Sequence, residues 1–378
     1  LWGARVTLYT ENQCVLTHLY GKGEDAIINV GDKQDVVDNG RGSQVQIWFG
    51  DRFRGQSLGP QPLGATQFGA ETGPRPVYSQ TMIMQAQELS STGLYNIVAG
   101  QTYTNVPLER KELRDCGAEA AEIICRSCYY HLAGITAYNT ATFSAAWKVP
   151  PMGNLVTEHD AAHAFYTNGK TSDTTVAADS ASILTVEFLE TIITKLQNRA
   201  FVKSPLSPGN TPWGDGFFVF ICDSEGNEQL TRHSSSNRFT SITLAELQGG
   251  QALDKVASYM QANQGFQSTR RILVIVDDYA PFGQSGTTPG ATTAGTQIGN
   301  VRRGMLLGRM SMHMRWGQGF DADSTHIMAT HHSEYTQEGW KFYTHWGGLR
   351  TIPTSDPTPQ SFGCAVVSYY VAASTPTV

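Results

Sequence analysis

Glu158-His159-Asp160-Ala161-Ala162-His163 sets two imidazoles four residues apart with a carboxylate between them. On a helix that spacing puts both rings on one face, as in a zinc hydrolase that uses a Glu between them as its base. Here Asp160 stands in place of the Glu, one methylene shorter, and no third ligand is marked. An exposed His pair in a polar segment is the plainer reading. Cys125 and Cys128 form a C-x-x-C on a helical pattern, without a second pair to complete a zinc site, so they read as small, reduced core residues. Asp277-Asp278 close the apolar run Arg271–Val276. Paired carboxylates at a strand end bind Mg²⁺ or serve as acid and base, but no phosphate-binding glycine loop precedes a helix here, and solvated turn residues are the default. His326, His331 and His332 lie close in sequence, yet a strand would split them between its faces. Arg302, Arg303, Arg309 and Arg315, with no acid among them, form a basic contact patch for phosphate or an acidic neighbour, or else a solvated charged face. These readings name no catalytic residue, no cofactor and no metal.

The elements around them are organised on Pro107–Gly134. Leu113, Cys116, Ala120, Ile124 and Cys128, with Ile123, recur at helical spacing. Pro107 suits the first helical position, Glu109 and Glu112 the first turn, and Gly134 the stop. Ahead of this spine, residues 1–41 show no strong period, although Trp2, Val6, Leu8 and Tyr9 would suit a strand or an arm. Val45, Ile47 and Phe49 alternate with polar or aromatic neighbours as a strand does, and Met82, Met84 and Ala86 mark a second. Between them runs a Gly/Pro/Gln tip with almost nothing to make a core, which gains order only by lying on a partner. Thr185–Arg199 predicts a second amphipathic helix, and residues 203–216 a connector. Phe217–Cys222 and Arg271–Val276 predict buried strands, and Gln251–Asn263 a helix. Glu225–Arg232 is ambiguous because Gly226 and Asn227 suggest a turn. Residues 283–300 predict a mobile low-complexity loop. Val301–Trp316 predicts a helix with Leu306, Leu307, Met310 and Met314 inward and the arginines outward. Strands return from Thr325 to Ile352, with a turn at Gln337-Glu338-Gly339, and a last strand covers Ala365–Ala373.

Composition narrows the classes. The chain has 378 residues, 40% hydrophobic and only 16% charged, with Gly 38 and a net charge of −6. That length suggests two lobes. The low charge suits a surface covered by neighbours, and the negative sign argues against a dedicated nucleic-acid binder. No apolar run reaches the roughly 18 residues that span a bilayer, so no membrane is expected. The chain begins at Leu1 rather than Met, which implies that an N-terminal piece is removed or left out.

Taken in order, these parts resemble the Hong Kong 97-type coat proteins of tailed phages, and more closely the major capsid proteins of N-four-like phages. Gly42 with the Val45/Ile47 strand, then Phe53, Gly55, Gly59 and Leu63-Gly64, resembles the family's glycine-spaced block. Leu113-Arg114 resembles its entry into the spine helix, Phe218–Ile221 its buried strand, and Met305-Leu306-Leu307-Gly308 its short late helix. Trp340–Gly348 resembles its return to the spine lobe. Ala65 and Thr66 stand where the family commonly has an acidic residue, and the 283–300 loop is particular to this chain.

The resemblance implies an α+β, Hong Kong 97-like phage capsid fold. It implies an N-terminal arm at 1–42, an extended hairpin at 43–90, a peripheral domain with the spine helix at 91–210, an axial domain at 211–324, and a return to the peripheral domain at 325–378. It implies a non-enzymatic subunit that assembles with itself into pentamers and hexamers of an icosahedral head, assembled in a bacterial host, around double-stranded DNA. A scaffold, a portal and a decoration or cement protein are further implied partners. Hairpin residues Val45, Ile47, Phe53, Gly55, Gly59, Leu63 and Gly64 become subunit-contact candidates. Some of these coats crosslink a hairpin Lys to a neighbour's Asn, but no Lys lies between Lys33 and Lys111, so non-covalent locking or a cement protein is expected. The alternatives are an encapsulin-like nanocompartment shell, a zinc-dependent hydrolase using His159 and His163, and, last, a nucleotide-binding enzyme using Asp277 and Asp278.

Overall fold

The computed structural model describes residues 15–30, 44–50, 77–83, 85–90, 108–139, 154–197, 206–211, 214–232, 267–269, 272–316, 328–334, 337–350 and 361–372. A 3₁₀ turn, Val15–Leu19, leads to β1 (Tyr20–Gly21) and β2 (Ile28–Val30). Then come β3 (Gln44–Gly50), β4 (Val77–Ile83), β5 (Gln85–Ser90) and the long helix α1 (Leu108–Ala133). β6 (Ala164–Tyr166), α2 (Asp173–Ala177), α3 (Val186–Gln197), β7 (Gly209–Thr211), β8 (Gly214–Cys222) and α4 (Ser224–Arg232) follow. The remaining strands are β9 (Gln267–Thr269), β10 (Ile272–Val276), β11 (Phe282–Ser285), β12 (Thr296–Leu307), β13 (Met312–Trp316), β14 (Met328–Glu334), β15 (Gln337–Arg350) and β16 (Cys364–Tyr370).

One sheet has the order β6-β16-β12-β8-β10-β9, with β11 on β12 and β7 on β8. Alternation along its central strands sorts side chains onto two faces. Val219, Ile221, Leu273, Ile275, Met305 and Val366 join Ile124, Cys128, Tyr129 and Leu132 of α1 in one core. Phe218, Phe220, Ile272, Val274, Leu306 and Val367 join Leu189, Ile192 and Leu196 of α3 in the other. Both faces are therefore covered, which is why FFVFIC and ILVIV read as continuous apolar runs. Each large side chain so buried contributes about 1.5–3 kcal/mol relative to exposure. Gly304 is needed beside Phe220, because a Cβ there would stand 2.5 Å from the ring.

The second sheet has the order β1-β2-β13-β15-β14, with β5 on β15. β3 and β4 form a separate antiparallel pair, Gln44 opposite Ile83 through Gly50 opposite Val77. The two expected hairpin strands are thus present. The tip between them, with Phe53, Gly55, Gly59, Leu63 and Gly64, lies outside the described residues, as do residues 1–14 and the Gln251–Asn263 pattern.

Helix α1 ends as its sequence suggests. Gly134 takes φ 67, its N–H reaches the His131 carbonyl, and Ile135 N–H reaches Tyr130 at 3.0 Å. This is a Schellman closure. Helix α3 buries Val186, Leu189, Ile192, Ile193 and Leu196, the expected stripe. The ambiguous 225–232 stretch is helical, started by Asp223, whose Oδ1 accepts the Gly226 N–H at 2.8 Å. Gly226 leaves room for Tyr369, whose hydroxyl donates to the same Asp223 oxygen at 2.6 Å.

Several expectations are corrected. Val301–Trp316, with the Met305–Gly308 block, is not a helix but strands β12 and β13 joined by a turn. Residues 283–300 include most of β11 and the start of β12, and their loop is fastened by Gly290 N–H to His159 O and Glu158 N–H to Ala291 O. Gln337–Gly339 lie in β15, where Gln337 pairs with Glu334. β16 lies with β12 and β8 in the large sheet, whereas β13 lies with β15 in the second. Cys128, Cys222 and Cys364 are free, but Cys125 is disulfide-bonded rather than reduced.

Burial, with Arg315 beside it, pushes the His313 imidazole on β13 down to about 3. The unfolded chain binds a proton there near pH 6.5 and the fold does not, so stability is full above that pH and falls as pH drops from about 6.5 towards 3. Burial would raise Asp160, but the His163 hydrogen bond and charge, with the Ser361 N–H, outweigh it and hold that carboxyl far below its usual range. Its contribution is lost in turn below about pH 4. Urea midpoints across this range should show a monotonic acid decline whose upper part flattens in His313→Gln.

Candidate functional site

The most elaborate polar arrangement among the described residues lies where the end of α1 meets the large sheet. Strand β12 projects Arg303 into the interior, where the residue is 2% exposed. Its Nε donates to Asp173 Oδ2 at 2.8 Å. One terminal nitrogen donates to Glu158 Oε1 at 2.7 Å and to the Ala133 carbonyl at 3.0 Å. The other reaches Glu158 Oε2 at 3.3 Å and Asp173 Oδ2 at 2.8 Å. Gln284 on β11 completes the cluster. Its amide donates to Gly134 O at 2.9 Å and to Glu158 Oε2, and its carbonyl accepts Ala137 N–H at 3.0 Å. Thr287 adds a hydrogen bond to Glu158 at 2.9 Å.

The physical sense is helix termination. The last carbonyls of α1 are orphan acceptors carrying the negative end of its dipole, and a guanidinium and an amide supply donors there. Burial would lower the Arg303 pKa, but the charges of Asp173 and Glu158 more than reverse this, so the guanidinium stays protonated. Such a cluster ties five chain segments together. It offers no open nucleophile.

The sequence-predicted residues fall apart as chemical groups. Residues 158–160 have no regular structure and 161–163 form a turn, so the His pair is not on a helix. Both rings are buried rather than exposed. His159 Nε2 donates to Leu132 O at 2.7 Å, and its Nδ1 lies 3.0 Å from Ser361 Oγ. His163 Nδ1 meets Asp160 Oδ1 at 2.9 Å, and Asp160 Oδ2 accepts Ser361 N–H at 2.6 Å. The rings serve different partners, so the zinc-hydrolase geometry is absent. No group of three His, Cys, Asp or Glu among the described residues could hold a metal. Asp277 accepts the Tyr129 hydroxyl of α1 at 2.5 Å, and Asp278 accepts Ser224 N–H at 2.9 Å. Asp277 is thus a partly buried structural tie, whereas Asp278 is the exposed turn residue expected, bonded to the start of α4. His331 and His332 are neighbours on β14, opposite Trp340 and Gly339.

The basic patch is likewise corrected. Arg303 is internal. Arg302 stacks on the Phe282 ring at 3.6 Å and lies 3.3 Å from Asp223. Arg309 lies 3.5 Å from Asp25, and Arg315 is buried with Asn29 as partner at 3.0 Å. A strand, not a helix, distributes these residues, and acids distant in sequence neutralise three of them. Sequence reasoning missed Asp173 and Gln284 and read Glu158 only as a flank of the His pair. The available signal was a charged Arg303 within a run leading into Gly-Met-Leu-Leu.

On the hairpin, Ile47 is buried and Val45 pairs with Met82. Thr81 of β4 accepts the Asn154 amide at 2.8 Å, which pins the hairpin base to the body.

Over 95% of the chain this architecture matches solved capsids. The capsid of Ralstonia phage GP4 matches with a TM-score of 0.64 at 14% identity, covering 95% of this chain and 91% of that one. The fold is that of phage capsid subunits. The capsid asymmetric unit of cyanophage Pam1 gives 0.58 at 12% identity over 95% and 93%. The acid-stable capsid of Helicobacter pylori bacteriophage KHP30 gives 0.58 at 10% identity over 95% and 92%. No family model and no curated protein sequence matches the chain. No helix among the described residues is long and apolar enough to cross a membrane.

Proposed function

We propose that the chain is the major capsid protein of a phage, its copies forming pentamers and hexamers that close into an icosahedral head around double-stranded DNA. One observation carries the reading: the match to the capsid of a Ralstonia phage spans 95% of this chain and 91% of that one, leaving little of either for another task. The polar sites support it, because the best-built of them fastens the subunit and has no reactive group open to a substrate. The role is structural, not enzymatic.

In this reading the β3–β4 hairpin reaches over an adjacent subunit, with Val45, Ile47, Phe53, Gly55, Gly59, Leu63 and Gly64 near the contact. The low charge of the chain suits many shallow, wet contacts, and several weak contacts per subunit suffice for a closed shell. Scaffold, portal and cement proteins are partners that the fold suggests. Electron microscopy and sedimentation of the purified chain test the reading. Closed shells, or rings of five and six, are expected. A chain that stays monomeric at high concentration even with its scaffold and portal would overturn it.

A further inference from the structure

Strand β12 of the large sheet runs directly into β13 of the second sheet through the turn Gly308–Ser311. Within it Met310 adopts φ 53, in the left-handed region. That conformation is costly for any residue with a Cβ and persists only where the surroundings over-determine it. The surroundings here are three distant chain segments. Met310 N–H donates to Ala26 O at 2.7 Å, Ser311 N–H to Ile27 O at 2.9 Å, and Arg309 N–H to Ser207 O at 2.9 Å. Gly308 N–H donates to Gly363 O at 2.7 Å, and the Ser311 hydroxyl reaches Gly308 O at 2.7 Å. Among the described residues the Met310 side chain clusters with Phe362, apart from both main cores.

We propose that Met310 is a hinge residue that sets the angle between the two sheets, its left-handed backbone held by the clasp of residues 26–27, 207 and 362–363. The chain uses glycine at Gly308 and Gly363 on either side of this contact but not at the left-handed position itself. A methionine there allows fewer crossover geometries than glycine and adds an apolar anchor on Phe362. A glycine would relieve the backbone and free the angle together. The consequence for assembly rests on the capsid reading, in which a fixed angle gives shells of one size; the backbone part does not.

The test compares Met310→Gly with Met310→Ala in the full chain. Both lose the contact with Phe362, so their difference isolates the backbone. At an ordinary position Ala is the more stable. Here Met310→Gly should melt at least about 2 °C above Met310→Ala, and the Met310 and Ser311 amides should exchange more slowly in it. Met310→Gly should nevertheless assemble into shells of mixed size, whereas the wild type gives one size. A merely structural role would not pair greater stability with poorer uniformity. Equal or reversed melting order, or shells of wild-type uniformity from Met310→Gly, would overturn the hinge. A wild-type chain that never assembles removes the capsid reading instead, and the hinge then stands or falls on the melting order and amide exchange of the subunit.

Discussion

Replacing Arg303 with methionine is expected to cost the subunit about 3–5 kcal/mol, because it strands two carboxylates in the interior. Glu158 and Asp173 are 5% and 2% exposed. Without the guanidinium, Asp173 keeps the Gln284 N–H at 2.8 Å and Glu158 keeps the Gln284 and Thr287 donors, but neither keeps a counter-charge. The Ala133 carbonyl loses its donor as well. A domain has only about 5–15 kcal/mol in total, so much of the variant should be unfolded or insoluble at physiological temperature. The measurement is the urea midpoint of soluble Arg303→Met against wild type. A triple variant, Arg303→Met with Glu158→Gln and Asp173→Asn, should recover part of the loss, since neutralising a whole buried cluster is milder than breaking it. A single variant that loses less than about 1 kcal/mol would show that the cluster is not paired as described.

The second large effect is expected at Gly363, which takes φ 72. A Cβ built there would stand 2.1 Å from the Arg309 carbonyl oxygen and 2.9 Å from Ser311 N. Both are backbone atoms held by the clasp, so neither can rotate aside. Gly363→Ala therefore combines left-handed strain with a backbone clash, and a loss of at least about 3 kcal/mol is expected. The comparison is with Gly290→Ala, where φ is 77 but nothing lies within 4 Å. That substitution should cost only the strain, about 1–2 kcal/mol. Denaturation midpoints of the two variants separate clash from strain. Similar losses would refute the close approach.

The difference between what could be read in the sequence and what could not follows burial geometry. Helix α3 was legible because one face of it is buried and the period survives in its apolar positions, and the end of α1 because Gly134 marks its stop. The β3–β4 pair was legible for the analogous reason at period two. Val301–Trp316 was not. β12 is covered on both faces over Val301–Leu307 except at Arg302, so alternation vanishes and leucines and methionines at helical spacing mislead. The arginine cluster was hidden by the same error, since a helix would have turned Arg303 outward. Its partners Glu158, Asp173 and Gln284 lie so far from it in sequence that no spacing rule connects them. The His pair misled because four-residue spacing has meaning only on a helix, and residues 158–163 are a loop and a turn.

The strand order of the large sheet also bears on how the protein is made. β16 is the described strand latest in sequence, yet it lies inside the sheet, antiparallel to β12 and parallel to β6. Until Cys364–Tyr370 has left the ribosome, a slot remains open beside β12, and the cores beneath α1 and α3 lack Val366 and Val367. Nascent chains fold from their N-terminal side as they emerge, and pairing this distant in sequence is slow to form. Chains cut short before Cys364 are thereby left without a closed sheet, so the topology itself bars them from the native state.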